Sequence, residues 1–264
     1  MSLIEEQIKK YYENYDEDKR LIKDKSHSIE FITTTSYLNK YILDKKKVLE
    51  VGAGTGRYSF YYLERGLDVT AFELSEKHIE IMKDKSNKIK ASLNIQQGNA
   101  LDLSRFENKV YDAVLCLGPM YHLTSENDRM GCISECLRVL KPGGIIAIAY
   151  ISKFAHFVDM IRRNKEDIND NGLFETLETG VEYVDDKECF YFSSYDEIET
   201  LMKNNNLEKL VHIGTDGISD MLRSNVNDFS DDEFELWMKY HLSTCENTSL
   251  VGYSKHCLFV AKKK

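Results

Sequence analysis

Residues Val48 to Ser59 read VLEVGAGTGRYS, with three glycines at alternate positions directly behind a short apolar run. The run KKVLEVG, Lys46 to Gly52, is bounded by charge on one side and glycine on the other, which predicts a buried parallel strand. A glycine-rich turn from that strand into a helix leaves the backbone bare, so a ligand can approach its N–H groups and the positive helix end. The spacing is G-x-G-x-G, which is neither the GxxxxGK[ST] of a phosphate loop nor the GxGxxG of a dinucleotide turn. Glu50 stands where its carboxylate faces the ligand. A negative group there repels a pyrophosphate and attracts an ammonium.

The same rhythm continues along the chain. DVTAFEL (Asp68 to Leu74), LNIQQGN (Leu93 to Asn99), YDAVLCLG (Tyr111 to Gly118) and GGIIAIAYI (Gly143 to Ile151) read as further strands. Helical segments over 57–65, 75–90 and 125–141 separate them, the last with Met130, Ile133, Leu137 and Leu140 on one face and Pro142 at its end. Strands alternating with helices of this length predict an α/β three-layer sandwich, a doubly wound parallel sheet with helices on both faces.

Beyond Ile151 the pattern breaks. Residues 152–193 begin charged and helical and end in VEYVDDKECFYFSS, which reads as extended. Ser194 with Glu197 forms a capping box for a helix to about Lys203, EKLVHIG (Glu208 to Gly214) follows as a strand, and Ser230 with Glu233 caps another helix. HCLFVAKK closes the chain as a strand. The expected organisation is one domain: an N-terminal helical lid over 1–40, a ligand-binding core over 41–151, and covering insertions over 152–193 and 215–250.

Composition narrows the partners. A net charge of −9 opposes nucleic acid, whose binders gather lysine and arginine into a basic face. No apolar run approaches the roughly 20 residues that span a bilayer, and the N-terminus lacks an apolar signal-peptide centre. The expected setting is cytoplasmic, with no membrane partner, and the six cysteines, without a CxxC pair, are expected to be reduced and buried.

Two more groups complete a ligand site. Glu73 ends the second strand about 20 residues beyond the glycine turn, where a carboxylate accepts from both hydroxyls of a ribose. After the third strand, the Asn99 amide oxygen can accept from an adenine amino group, while backbone N–H groups near Ala100 and Leu101 donate to its ring nitrogens. A cationic amino-acid end, a ribose and an adenine together describe one ligand.

On these residues the chain resembles the class I S-adenosylmethionine-dependent methyltransferases. LEVGAGTG is similar to the family's first motif, FELS to the second, GNALDL to the third, YDAVLCLGPMYHL to the fourth and LRVLKPGG to the fifth, spanning Lys46 to Tyr150. The resemblance implies a Rossmann-like sheet of seven strands with the last antiparallel, and S-adenosylmethionine as cofactor, leaving as S-adenosylhomocysteine. It implies cofactor contacts at Glu50, Gly52, Ala53, Gly54 and Gly56 of the first turn. It adds Glu73 and Leu74 after the second strand, Asn99 and Ala100 after the third, and Leu117 and Gly118 after the fourth. Asn99 replaces the family's usual aspartate and retains an acceptor.

The methyl should point toward Leu117 to Leu123, LGPMYHL. Direct displacement needs the acceptor held in line about 3 Å from the methyl. His122 is the candidate base, because an imidazole titrates near neutral pH, and Tyr121 can line the site through its ring or hydroxyl. Amine methyltransferases of nucleic-acid bases carry an Asn/Asp-Pro-Pro-aromatic tetrad here, whereas this chain has Gly118-Pro119-Met120-Tyr121. A small-molecule acceptor is therefore expected. A macromolecular acceptor, RNA or protein, and a non-catalytic cofactor-binding module are the alternatives.

Ile4, Ile8, Tyr11, Tyr12 and Tyr15 share one helical stripe, from which Tyr12 can reach the sulfonium by cation–π attraction and Tyr15 the acceptor. Arg20 can pair with the cofactor's carboxylate. Trp237 and His241 are candidate walls of the acceptor site. His241 and Cys245 lie one helical turn apart, but no ligand quartet is set by the spacing, so no metal is expected. The oligomeric state, monomer or homodimer, is left open.

Overall fold

The computed structural model describes residues 3–90, 92–184 and 187–264, and the side chains of residues 3–5, 14 and 184 lie outside that description. Ile4 of the tyrosine stripe is therefore outside it, as are Asp185 and Asp186 of the extended segment.

The chain opens with helices α1 (Leu3–Asn14) and α2 (Lys25–Ile42), joined by a 3-10 turn at Glu17–Ile22. Strand β1 (Lys47–Val51) then runs through the glycine turn into α3 (Arg57–Leu63). Next come β2 (Asp68–Glu73), α4 (Glu76–Ile89), β3 (Asn94–Gln97) and β4 (Tyr111–Cys116). Helix α5 (Glu126–Val139) leads directly into β5 (Leu140–Ile151).

That junction departs from the expected helix end at residue 141. Leu140 already pairs with Tyr111 of β4, and the register shifts before Ala113 pairs with Ile145. Pro142 and the glycines thus sit in an irregular strand entry, a position where proline's missing donor is tolerated.

Seven strands form one sheet in the order β3-β2-β1-β4-β5-β9-β8, where β8 is Leu207–Gly214 and β9 is His256–Lys263. Strand β9 runs antiparallel to both neighbours, while β1 to β5 pair in parallel, as the sequence predicted. Consecutive β4 residues alternate between two apolar clusters, Ala113 and Leu115 in one, Val114 and Cys116 in the other. Both faces are therefore covered, which explains why these strands read as continuous apolar runs. Each fully buried aliphatic chain such as Leu49 contributes about 2 kcal/mol.

Helix α2 packs into this core through Leu38 and Ile42, which are fully buried in one of its clusters, while Ile29 is buried with Val226 and Met238. The segment after β5 forms α6 (Lys153–Arg163), α7 (Asn171–Thr179) and an antiparallel hairpin of β6 (Val181–Val184) and β7 (Lys187–Tyr191). Ser193 fixes the hairpin beside the end of β5, donating its N–H to Ile151 O at 2.9 Å and accepting from Lys153 N at 3.1 Å. Both predicted capping boxes form, at the starts of α8 (Tyr195–Lys203) and, after the short α9 (Arg223–Asp228), of α10 (Asp231–Thr244). Helix α11 (Thr248–Val251) precedes β9. Among the described residues no helix is long and apolar enough to cross a membrane.

Strand order reverses between β1 and β4, so their outgoing loops diverge and open a crevice at the carboxyl ends of the strands.

Candidate active site

The crevice is a cleft of about 950 Å³, counting the space open at its mouth. The glycine turn forms its floor with Glu50, Gly52, Ala53 and Gly54, while Glu73, Leu74, Asn99 and Ala100 line one end. Leu117, Gly118, Tyr121 and His122 line another side, and Tyr12 and Arg20 come from the N-terminal segment. The fold thus gathers these predicted positions around one space. Gly56 does not line it.

The glycines have a different explanation from the expected ligand approach. Gly52 adopts φ +71°, and a Cβ there would lie 2.7 Å from Pro119 Cδ, so its bareness admits the loop after β4. Gly54, at φ +54°, is the one beside the N-terminal cover, with Glu17 Cγ 3.6 Å from where its Cβ would stand. Nor is the turn a ring of waiting donors. Gly52 and Ala53 donate to Phe72 O at 2.8 and 3.1 Å, Gly56 to Ala53 O at 2.8 Å, and Gly54 to Glu73 Oε2 at 2.7 Å. Donors spent internally do not cradle a phosphate, which agrees with the charge argument from Glu50.

Glu50 is 2% exposed. The Ser59 hydroxyl donates to its Oε2. Burial pushes its carboxyl up to about 8, against the weaker downward pull of the Ser59 bonds, with Glu73 adding a small push. A buried carboxyl lining a cleft without a cationic partner among the described residues is stabilised by a ligand that brings one. The amino group of an S-adenosylmethionine tail has that chemistry, so the residues present fit the cofactor.

Glu73 is held at the end of β2 by Gly54 N–H on one oxygen and Ser75 N–H at 2.8 Å on the other. Each oxygen keeps acceptor capacity. His78 Nδ1 stands 3.5 Å from Glu73 Oε1, on the first turn of α4, and lines the cleft. Asn99 Oδ1 accepts from Leu101 N–H at 2.9 Å, so the side chain shapes its own loop and the Leu101 N–H, expected to donate outward, is turned inward.

The loop after β4 is pinned from behind by Arg129, whose Nη1 donates to Leu123 O at 2.7 Å and Thr124 O at 2.8 Å while its guanidinium lies 3.5 Å over the Tyr191 ring. Burial lowers the affinity of this arginine for its proton. The loop in turn presents Tyr121 and His122. His122 Nε2 lies 2.9 Å from the Tyr12 hydroxyl, and Nδ1 faces Cys189 O at 3.5 Å. A carbonyl only accepts, so Nδ1 carries the hydrogen and Nε2 receives the one on Tyr12. Burial pushes the imidazolium down to about 4. His122 is therefore neutral through the physiological range, instead of titrating near neutrality as the sequence reading assumed. Burial also raises the Tyr121 phenol well above its ordinary range, so that hydroxyl keeps its proton.

Several ties hold the N-terminal cover. Lys77 Nζ donates to the carbonyls of Tyr12 and Glu13 at 2.9 and 2.8 Å, neutralising the negative end of α1. Lys85 pairs with Asp18 and donates to Thr55 O at 3.0 Å. Arg20 reaches the cleft wall already paired, with Glu17 at 2.9 Å and in a fork with Glu30 at 2.5 and 3.2 Å. Tyr11 packs on Phe190 of β7 at 4.9 Å between ring centroids, joining α1 to the hairpin.

Three predicted residues lie elsewhere. Trp237 Nε1 donates to Ser219 Oγ at 3.0 Å and His241 Nε2 faces Thr33 Oγ1 at 3.0 Å; both line a separate small cavity beside α10. Helical spacing placed them correctly on α10, and the helix docks on α2 and not over the cleft. Tyr15 is 37% exposed and stacks on Tyr11. Conversely, Glu17, His78 and Tyr58 line the cleft unanticipated. The signal for His78 was its place three residues after the Ser75 cap, where a first-turn side chain faces the acid that ends β2.

Residues 49–148 match the family described as Methyltransferase domain. A glycine/sarcosine N-methyltransferase of Aphanothece halophytica is 31% identical over 104 residues, 39% of this chain and 39% of that protein. A ubiquinone biosynthesis O-methyltransferase of Pseudomonas savastanoi pv. phaseolicola is 31% identical over 108 residues, 41% of this chain and 45% of that one. The chain thus spans less than half the length of these curated relatives. Among solved structures, a Pyrococcus horikoshii OT3 protein superposes with a TM-score of 0.63 at 18% identity, over 97% of this chain and 99% of that one, which shows a shared fold. The matched segment carries the glycine turn, Glu50, Glu73 and the loop after β4, and this segment is a methyltransferase domain of the class I S-adenosylmethionine-dependent kind.

Proposed function

We propose that this chain transfers a methyl group to a small-molecule acceptor bound between the loop after β4, helix α1 and the β6–β7 hairpin, and releases S-adenosylhomocysteine. S-adenosylmethionine supplies the methyl on a positively charged sulfur. The observation that carries the reading is Glu50, a buried carboxyl on the cleft floor whose proton affinity is raised to about 8 by burial. An ammonium beside it would favour the ionised form and displace its proton.

The remaining residues divide the ligand between them. Glu73 takes the ribose hydroxyls on its unused lone pairs, Asn99 and Ala100 border the adenine, and Leu74 and Leu117 offer apolar walls. Arg20, held by Glu17 and Glu30, has donors left for the carboxylate of the amino-acid tail. Gly118, where a Cβ would stand 3.1 Å from Gly52 O, lets the loop after β4 pack against the glycine turn that floors the cleft.

Tyr121 and His122 face the acceptor. The Tyr12 hydroxyl hydrogen is committed to His122, so the Tyr12 oxygen presents lone pairs to an incoming N–H or O–H. This neutral pair orients an acceptor, and the covering segments exclude water from it. A narrow recess lined by Glu30, Thr34 and His256 shares Tyr58, Leu117 and Tyr121 with the cleft and gives a small polar molecule further partners. The names of the N- and O-methyltransferase relatives, both of small molecules, support the same acceptor class.

Calorimetry with S-adenosylhomocysteine tests the reading. One site per chain is expected, weakened at least tenfold in Glu50→Gln, and a screen of small amines and hydroxy compounds should yield S-adenosylhomocysteine with at least one. Absence of binding at millimolar concentration would sink it.

A further inference from the structure

Three of the six cysteines meet on the face of the sheet beneath α5. Cys116 ends β4, and Cys132 and Cys136 stand four residues apart on α5, which puts their side chains on one helical face. All three are fully buried in the same apolar cluster. Their Sγ atoms all lie within 4.8 Å of one another, Cys116 and Cys132 at 3.8 Å. A soft ion bonded at about 2.3 Å to three sulfurs in a plane sets those sulfurs about 4.0 Å apart. The Cys116–Cys132 separation thus already matches three-coordinate thiolate ligation, and the other two pairs, within 4.8 Å, lie close to it.

We propose that Cys116, Cys132 and Cys136 bind one soft monovalent ion of the Cu(I) class through their three sulfurs. Soft thiolate ligands select such ions, whereas a structural zinc site closes with four ligands, and the described residues group three here. The binding is simple coordination: Cu(I) enters, up to three thiol protons leave to solvent, and no electron moves. Ligation would tie α5 to the end of β4, one residue before Leu117 at the cleft wall. The inference is independent of the methyl-transfer reading.

The reduced full-length protein is titrated anaerobically with Cu(I) against a chromophoric chelator. One ion per chain is expected to survive desalting, with X-ray absorption giving three sulfur neighbours at about 2.3 Å. Cys132→Ala and Cys136→Ser should each lose at least a hundredfold in affinity, and Cys245→Ala, whose thiol lies elsewhere beside Tyr37, should retain it. The absorption measurement on the unaltered protein stands even if a variant fails to fold. Failure of the folded protein to retain Cu(I), retention undiminished in both variants, or preference for four-coordinate zinc would overturn the proposal.

Discussion

The Tyr12 hydroxyl and His122 Nε2 meet at 2.9 Å across 110 residues of sequence, so the helix that covers the cleft and the loop that lines it share one part-buried hydrogen bond. Removing the hydroxyl in Tyr12→Phe leaves Nε2 unpaired, which costs about 1–3 kcal/mol in a buried setting. The expected result is a fall in kcat of about tenfold or more, with the binding of S-adenosylhomocysteine less affected. Because His122 is pushed down to about 4, kcat in the unaltered protein should show no limb near pH 6.5. An ionisation at that position, abolished in His122→Asn, would mean that the imidazole titrates as a base.

The same burial makes the fold acid-sensitive. His122 and His212 are both lowered to about 4 from 6.5, so unfolding takes up protons between those values. Stability is full above pH 6.5 and falls as pH drops toward 4, by about 3 kcal/mol per histidine at the limit. Urea midpoints from pH 7 to 4 check this. His212→Gln, which keeps a donor and an acceptor beside Tyr150 and Glu199, should flatten part of the slope.

Glu50 gives the opposite sign. A carboxyl raised to about 8 binds its proton in the folded state and releases it on unfolding, so its contribution to stability declines as pH rises from about 4.5 to 8. Ligand binding reverses the trend. If an ammonium needs Glu50 ionised, affinity for S-adenosylhomocysteine should rise by up to tenfold per pH unit between 6 and 7.5, with a proton released that calorimetry in two buffers detects. Glu50→Gln should bind weakly and without that pH dependence.

Much of this was legible in the sequence because local chemistry and tertiary packing agreed there. The apolar runs of β1 and β4 are buried on both faces, and the acids at the carboxyl ends of β1 and β2, Glu50 one residue before the last and Glu73 the last, reach the cleft through strand geometry alone. Packing between distant segments was not legible. Nothing in VLEVGAGTG says that Pro119 fills the space a Cβ would take at Gly52, nor that the turn's N–H groups are spent on Phe72 and Glu73. The positions of Trp237 and His241 depended on which face of the core α10 docks against, a choice that helical periodicity does not carry. His122 was found by its loop, and its protonation was misjudged because burial depends on the hairpin at Phe190, far along the chain.

Two glycines separate backbone strain from packing. Gly52 and Gly66 both have positive φ, at +71° and +84°, yet a Cβ on Gly66 meets nothing within 4 Å. Gly66→Ala should cost only the left-handed strain, about 1–2 kcal/mol. Gly52→Ala adds a clash with the rigid Pro119 ring, worth about 1–3 kcal/mol more. Denaturation midpoints should rank them in that order, and only Gly52→Ala should weaken S-adenosylhomocysteine binding, since it displaces the loop after β4.

Arg129 extends that logic to a residue that does not line the cleft. Its guanidinium carries a buried charge satisfied by the Leu123 and Thr124 carbonyls and the Tyr191 ring, so its value lies in holding the loop behind Tyr121 and His122. Lysine keeps the charge but not the planar fork, and it cannot span two carbonyls while stacking on a ring. Arg129→Lys is expected to lower kcat by about ten- to a hundredfold, since misplacement of about 1 Å at a reacting centre has that effect. The cofactor contacts proposed for Glu50 and Glu73 lie beyond the loop, so the KM for S-adenosylmethionine should change little. Arg129→Met, which packs against Tyr191 but leaves both carbonyls unpaired, should lower stability as well as kcat. Equal kcat in all three proteins would show that the loop holds its shape without the arginine.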